Sequence, residues 1–379
     1  MDKRLLGGLD AAGFLRRHWQ KRPLVVRQAL PQIAALAEPD TLFRLAGAAD
    51  VESRLISRQR NWSLEHGPIS RRRLQTMPAR RWTLLVQGLN LHLSAADRLL
   101  RRFAFLPYAR LDDVMASYAV PEGGVGPHTD SYDVFLIQGR GRRRWRIGPV
   151  PRPEFVPGLD LRILRQFRPT AEYLMEPGDL LYLPPGWGHD GVALDECLTY
   201  SIGFRAPARQ ELLYEFLLRA AEQVSAPGLY ADPDLAPQTS PARIPDTMID
   251  QVDALVRSLR FTRRQITRFV GEYLSEPKAR VVFARPERRP GPREFARRAL
   301  RSGVQLDPGT IMLFRDRELF INGECRPLDP RWRASALALA NRRELGPQET
   351  AACASLLHEW HCNGWLHLGG TSAHEHPAG

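Results

Sequence analysis

No apolar run in this chain approaches the roughly 20 residues that a bilayer-spanning helix needs, so a membrane protein is not expected. The N-terminal stretch MDKRLLGGLDAAGFLRRHW is amphipathic and holds acidic residues, unlike the basic-then-apolar order of a signal peptide. Cysteine is scarce. Cys197, Cys325, Cys353 and Cys362 follow no disulfide framework, which points to reduced thiols in the cytoplasm. Lysine is scarcer: Lys3, Lys21 and Lys278 are the only three, so the formal charge of +12 rests almost wholly on arginine. Such a surface suits contact with nucleic acid or ribonucleoprotein; a solvated arginine-rich surface with no partner is the plain alternative. Histidine is thin in the middle of the chain: of ten, only His128 and His189 fall between His92 and His358.

What is present sets the scale. With 379 residues and 43% hydrophobic content the chain can bury a substantial core and fill two or three domains. Residues 1–100 mix helical periodicity with short apolar runs: GFLRRHWQKRPLVVRQAL reads as a helix and then a strand, RRWTLLVQGLN as a strand, and SAADRLLRRFAFL as a helix capped by its serine. From about 112 to 206, short strands alternate with Gly/Pro turns, the texture of an all-β barrel or sandwich. Two of these strands, DVFLIQ and RRRWRIG, are joined by GRG, which predicts a hairpin. Beyond Pro207 helical spacing returns in RQELLYEFLLRAAEQV, DTMIDQVDALVRSLR and TRRQITRFVGEYLSEP, with a Pro-rich linker after the first. The last stretch reads helix, two strands, two helices, an order that fits a small winged-helix-like domain, and GGTSAHEHPAG reads as a disordered tail. The expected division is 1–206, 207–275 and 276–379.

Two segments carry chemistry. VGPHTDSYD holds His128 and Asp130 two residues apart, so on a strand both face one way. Downstream, GDLLYLPPGWGH has the glycine, proline, glycine and histidine spacing of the second cupin motif and ends on His189. Two histidines and one carboxylate on one face of a cation leave positions open and favour non-haem Fe(II). The alternative is that His189 is a turn histidine and His128 a surface one. Strand parity adds an independent clue. In RRRWRIG, Arg143 shares a face with Trp145 and Ile147, so its guanidinium points inward, where it needs an anion. No carboxylate is specified nearby, and a dicarboxylate cosubstrate would fit the guanidinium fork. In CLTYSIGF, Leu198, Tyr200, Ile202 and Phe204 form an apolar face, while Thr199 and Ser201 form a small polar face suited to a pocket, as does Ser117 in MASYAV.

At these residues the sequence resembles the JmjC-type cupin oxygenases and, among them, the bacterial ribosomal oxygenases that hydroxylate an arginine of large-subunit ribosomal protein 16. The resemblance lies in FLRRHWQKRPLVVR, GGVGPHTDSYDVFLIQGRGRRRWRIG, EPGDLLYLPPGWGHDG, YSIGFRAP and LYADPDLAP. It implies an α+β chain: a double-stranded β-helix (cupin or jelly-roll) core, a helical dimerisation region and a C-terminal winged helix. It implies an Fe(II)- and 2-oxoglutarate-dependent dioxygenase using O2, with His128, Asp130 and His189 as iron ligands and Arg143 gripping the far carboxylate of 2-oxoglutarate. Ser117 and Thr199 are the further cosubstrate candidates, Thr199 standing where an asparagine is expected. The implied partners are a ribosomal protein substrate, a second copy of the chain and, through the basic charge, ribosomal RNA.

A substrate arginine needs a carboxylate; Asp133, Asp112 and Asp190 are candidates, and Tyr132 beside the ligand pair could pack on the side chain. Against this stand another JmjC-type target (histidine or lysine), a cupin enzyme without a 2-oxo acid, and a nucleic-acid-binding regulator; the last two leave inward Arg143 without a purpose. Cys353, His358, His361, Cys362 and His367 could suggest zinc, but the spacing matches no standard module and a packed helix is the expectation. His374 and His376 fall in the tail.

Overall fold

The computed structural model describes residues 3–33, 36–237 and 239–369. The tail expected to be disordered, with His374 and His376, lies outside the described residues. Twelve strands build the first part: β1 (Leu24–Val26), β2 (Ser53–Arg58), β3 (Trp62–His66), β4 (Trp82–Val86), β5 (Leu111–Ala119), β6 (His128–Thr129), β7 (Val134–Arg140), β8 (Arg143–Pro149), β9 (Ala171–Met175), β10 (Leu180–Leu183), β11 (Trp187–Ala193) and β12 (Cys197–Phe204). Between the early strands run α1 (Ala11–Arg17), α2 (Pro39–Ala46), α3 (Arg71–Gln75), α4 (Leu89–His92) and α5 (Ser94–Arg101). Ser94 is the first residue of α5 and not its cap; Leu93 holds that place, without a side-chain hydrogen bond.

The strands form two antiparallel sheets, an eight-stranded one ordered β1-β10-β7-β12-β5-β4-β2-β3 and a four-stranded one ordered β6-β11-β8-β9. The large sheet is apolar on both faces. Val114, Ala116, Tyr118, Phe135, Ile137, Leu198, Tyr200, Ile202 and Phe204 pack outward on Phe14 and Phe103 of the N-terminal helical layer. Val134, Leu136, Leu181 and Leu183 face the other way and meet Trp145 and Ile147 of the small sheet, closing a barrel. Ser117, Thr199 and Ser201 alternate with the outward set and therefore face the barrel interior.

The expected hairpin across GRG does not form. β7 pairs with β10 and β12, while β8 pairs with β9 and β11 in the other sheet. The reason lies at the turn. Gln138 donates to the carbonyls of Arg140 and Gly141, and Asp195 accepts from the backbone N–H and the guanidinium of Arg142. These bonds steer the chain over the barrel edge instead of back along β7.

Helices α6 (Arg209–Ala221), α7 (Asp246–Ser258) and α8 (Arg263–Ser275) follow. Neither α6 nor α7 buries a residue. The last part holds α9 (Pro292–Ser302), β13 (Val304–Leu306), β14 (Met312–Arg315), β15 (Glu318–Ile321), β16 (Glu324–Pro327), α10 (Arg333–Arg342), β17 (Glu344–Leu345), α11 (Ala354–Cys362) and β18 (Leu366–Leu368). Its core gathers Phe295, Leu306, Leu319, Leu339, Leu357 and Trp360. Helix α8 packs against this body: Gly271 lies so close to Phe320 that a Cβ there would stand 2.4 Å from the ring.

Candidate metal centre

β11 lies between β6 and β8, and its register sets His189 opposite His128 on one side and Ile147 on the other. The two imidazoles therefore arrive from neighbouring strands with ring centroids 4.1 Å apart. Asp130 follows β6 and brings a carboxylate oxygen to 3.6 Å from His189 Nε2. Ligand atoms of His128, Asp130 and His189 all lie within 4.8 Å of one another, which one cation can bridge. The turns before β10 and β11 depend on glycine: Gly178 and Gly186 have φ of +94° and +77°, a region that costs a side chain strain.

The ring nitrogens are assigned by their partners. Nδ1 of His128 lies 2.9 Å from the carbonyl of Gly126, and Nδ1 of His189 lies 3.1 Å from that of Trp187. With the proton on Nδ1, each Nε2 keeps a free lone pair. Burial first, and neighbouring His128 second, hold the His189 imidazole down to about 4, so it is neutral at physiological pH, as a ligand must be.

Arg143 comes from β8, on the face it shares with Trp145 and Ile147, the latter opposite His189. It is 4% exposed, its two terminal nitrogens donate to Ser117 Oγ at 3.2 and 3.3 Å, and its Nε is buried with no partner among the described residues. Trp145 stands between the guanidinium and the imidazoles, its ring 5.7 Å from the Arg143 guanidinium carbon and 5.8 Å from the His189 ring. A buried cation without a carboxylate is costly unless an anion visits. The donor set and this unsatisfied guanidinium together fit a two-histidine, one-carboxylate iron with a dicarboxylate beside it.

The Thr199 hydroxyl, on β12 opposite Ser117, donates to Gln138 Oε1 at 3.0 Å. One expectation needs correction. Asp133 is 0% exposed, and its oxygens are taken by Tyr182 at 2.6 Å and Gln20 at 3.0 Å, with Arg110 at 3.6 Å. It holds the N-terminal segment to the barrel and cannot meet a substrate. Asp190 is likewise buried and paired with Arg146. Of the carboxylates named from the sequence, Asp112 remains. Sequence parity passed over its neighbour Asp113, which shares the inward face of β5 with Ser117. Tyr132 is partly exposed, and its phenol is pushed up by Asp130 first, then burial, then Asp113, so it stays protonated.

The C-terminal Cys/His cluster holds no metal set. His358 bonds to the Pro290 carbonyl, His361 to that of Leu366, and His367 to Asp307. Among the described residues only His128, Asp130 and His189 form a group able to bind a cation.

Known proteins agree with this architecture. The JmjC-domain family matches residues 98–212, and the ROXA-like winged-helix family matches residues 258–367. The chain is 36% identical over 319 residues to the ribosomal protein uL16 3-hydroxylase of Escherichia coli, covering 83% of this chain and 85% of that one. It superposes on a crystal structure of E. coli YcfD with a TM-score of 0.85 at 34% identity, over 95% of this chain and 98% of the other. A structure of the E. coli ribosomal oxygenase YcfD in complex with cobalt and 2-oxoglutarate matches with a TM-score of 0.82 at 33% identity, over 96% and 99%.

Proposed function

This chain belongs to the JmjC-type ribosomal oxygenases, and we propose that it hydroxylates an arginine of a large-subunit ribosomal protein, using Fe(II), 2-oxoglutarate and O2. The observation that carries the reading is Arg143: a buried guanidinium without a carboxylate partner among the described residues, on the same face of β8 as Ile147, which lies opposite the metal-group residue His189. In our reading His128, Asp130 and His189 hold the iron, and Arg143 with Ser117 holds the far carboxylate of 2-oxoglutarate. Iron bound there supplies the oxidising power that turns a C–H bond into C–OH, with succinate and CO2 as coproducts. The protein supplies geometry. Trp145 and Ile147 shield the metal side of the cavity from water, while Gly126 and Trp187 carbonyls orient the imidazoles. Tyr132 packs along the substrate side chain, and Asp113 with Asp112, fixed on strand β5, receives its guanidinium, a position more exact than loop placement alone would give. Comparing ribosomal proteins by mass spectrometry from cells with and without this gene tests the assignment. The expected result is one arginine lighter by one oxygen atom in the deletion; an unchanged ribosomal proteome, or a change on histidine alone, refutes it.

We further propose that the chain works as a homodimer in the cytoplasm, where ribosomal substrates are. Helices α6 and α7 support the dimer: Leu213, Tyr214, Leu217 and Leu218 on one, and Ile249, Val252, Leu255 and Val256 on the other, are all exposed. An apolar surface of this kind marks an interface. Leu217→Glu with Leu255→Glu is expected to halve the mass measured by light scattering while the isolated barrel keeps its iron site; a variant still dimeric excludes these helices. We place the boundary of the winged-helix unit before α8 rather than at 276, because α8 packs on β15. For ribosomal RNA, the support is the outward stripe Arg293, Arg297 and Arg301 of α9. Helix α11 offers no arginine.

A further inference from the structure

The acidic pair at the start of β5 is already occupied, by a cation of this same chain. Lys278 lies in the segment between α8 and α9, and its Nζ stands 2.9 Å from Asp112 Oδ1 and 3.5 Å from Asp113 Oδ2. The three side chains line a cavity of about 590 Å3 between the barrel, this segment and the winged-helix unit. Asp113 is buried and lies beside Gly203 of β12. A second cation, Arg205, meets Asp112 at 3.5 Å, and the two cations are held differently. Arg205 donates to the Leu274 carbonyl at 3.1 Å, and its own backbone exchanges hydrogen bonds with Arg110. It is part of the frame. Among the described residues the Lys278 ammonium has hydrogen-bond or ion-pair partners only in the two carboxylates, and 43% of its side chain is exposed.

In the free enzyme two adjacent carboxylates, one buried, need a counterion. A lysine ammonium provides one without the fixed fork of an arginine, on a flexible stem that can swing to solvent. We propose that Lys278 is a built-in stand-in for the substrate's guanidinium, neutralising Asp112 and Asp113 until an incoming arginine displaces it, and thereby sets the affinity for substrate. This rests on the arginine reading above. An arginine displaces it because its planar donors pair with a carboxylate through two hydrogen bonds where the ammonium is a point charge.

The test is a graded series on the full-length enzyme with iron and 2-oxoglutarate in the absence of O2, titrated calorimetrically with a synthetic peptide bearing the arginine identified in ribosomes. Lys278→Met removes the competitor, and Kd is expected to fall about 2- to 5-fold, the range of a partly exposed ion pair. Lys278→Arg installs a stronger competitor, and Kd is expected to rise above wild type. KM under turnover should follow the same order. A purely structural lysine gives the opposite pattern, with arginine near wild type and methionine weaker, and that result overturns the proposal. Should Lys278→Met not fold, Lys278→Arg alone decides, because unchanged or tighter binding contradicts competition. Wild type that binds and hydroxylates a histidine peptide but not the arginine peptide overturns the substrate reading itself, and this proposal with it; wild type active on arginine with a flat series overturns only the role of Lys278.

Discussion

Asp130→Ala is expected to abolish iron retention and hydroxylation together. Among the described residues Asp130 provides the only carboxylate grouped with both imidazoles, and its removal leaves two neutral nitrogens to hold a dication. Loss of an outer partner of a metal ligand costs ~10- to 100-fold in affinity or activity, and loss of the ligand itself exceeds that. Metal content after desalting, measured beside peptide hydroxylation by mass spectrometry, checks the pair of effects. The variant should fold, since Asp130 sits at a loop end after a two-residue strand and only its Oδ2 meets His189. A variant that keeps wild-type iron and full turnover removes Asp130 from the centre.

Arg143→Met is expected to raise the 2-oxoglutarate requirement on the order of a hundredfold or more, because a hydrogen bond to a charged group contributes roughly 1.5–3 kcal/mol and the guanidinium offers two to one carboxylate. Thermal stability separates this role from a structural one. In the free protein Arg143 is a buried charge with an unsatisfied Nε, so an apolar side chain of similar length should not lower Tm. Adding 2-oxoglutarate should raise the Tm of wild type and leave that of the variant unmoved, since only a ligand bound to the native state stabilises it. A large loss of Tm without cosubstrate, with 2-oxoglutarate dependence intact, would mean that Arg143 holds the barrel together and does nothing else.

Much of this site was legible along the chain, and the reason differs by residue. His128 with Asp130, and the spaced glycines and proline before His189, are local patterns: a strand fixes which side chains share a face, and a turn with positive φ requires glycine. Arg143 followed from alternation with Trp145 and Ile147, which needs no knowledge of the partner strand. The hairpin expectation failed because a turn sequence states that the chain reverses, not which strand it then joins; Gln138 and Asp195 decide that from a distance. Asp133 failed likewise. Its sequence neighbours are the ligand pair, yet its hydrogen bonds go to Tyr182 and Gln20, far away in the chain.

The sequence by itself determined the chemistry that one strand or one turn can carry: the metal-binding residue types, the inward guanidinium, the alternation of apolar and small polar faces, and the helical segments after Pro207. Only the tertiary structure decided which charges meet. Hydrogen bonds and ion pairs act over a few ångströms with no regard to chain separation, so the partner of a buried carboxylate is set by packing, as when Lys278 reaches Asp113 and Tyr182 seals off Asp133.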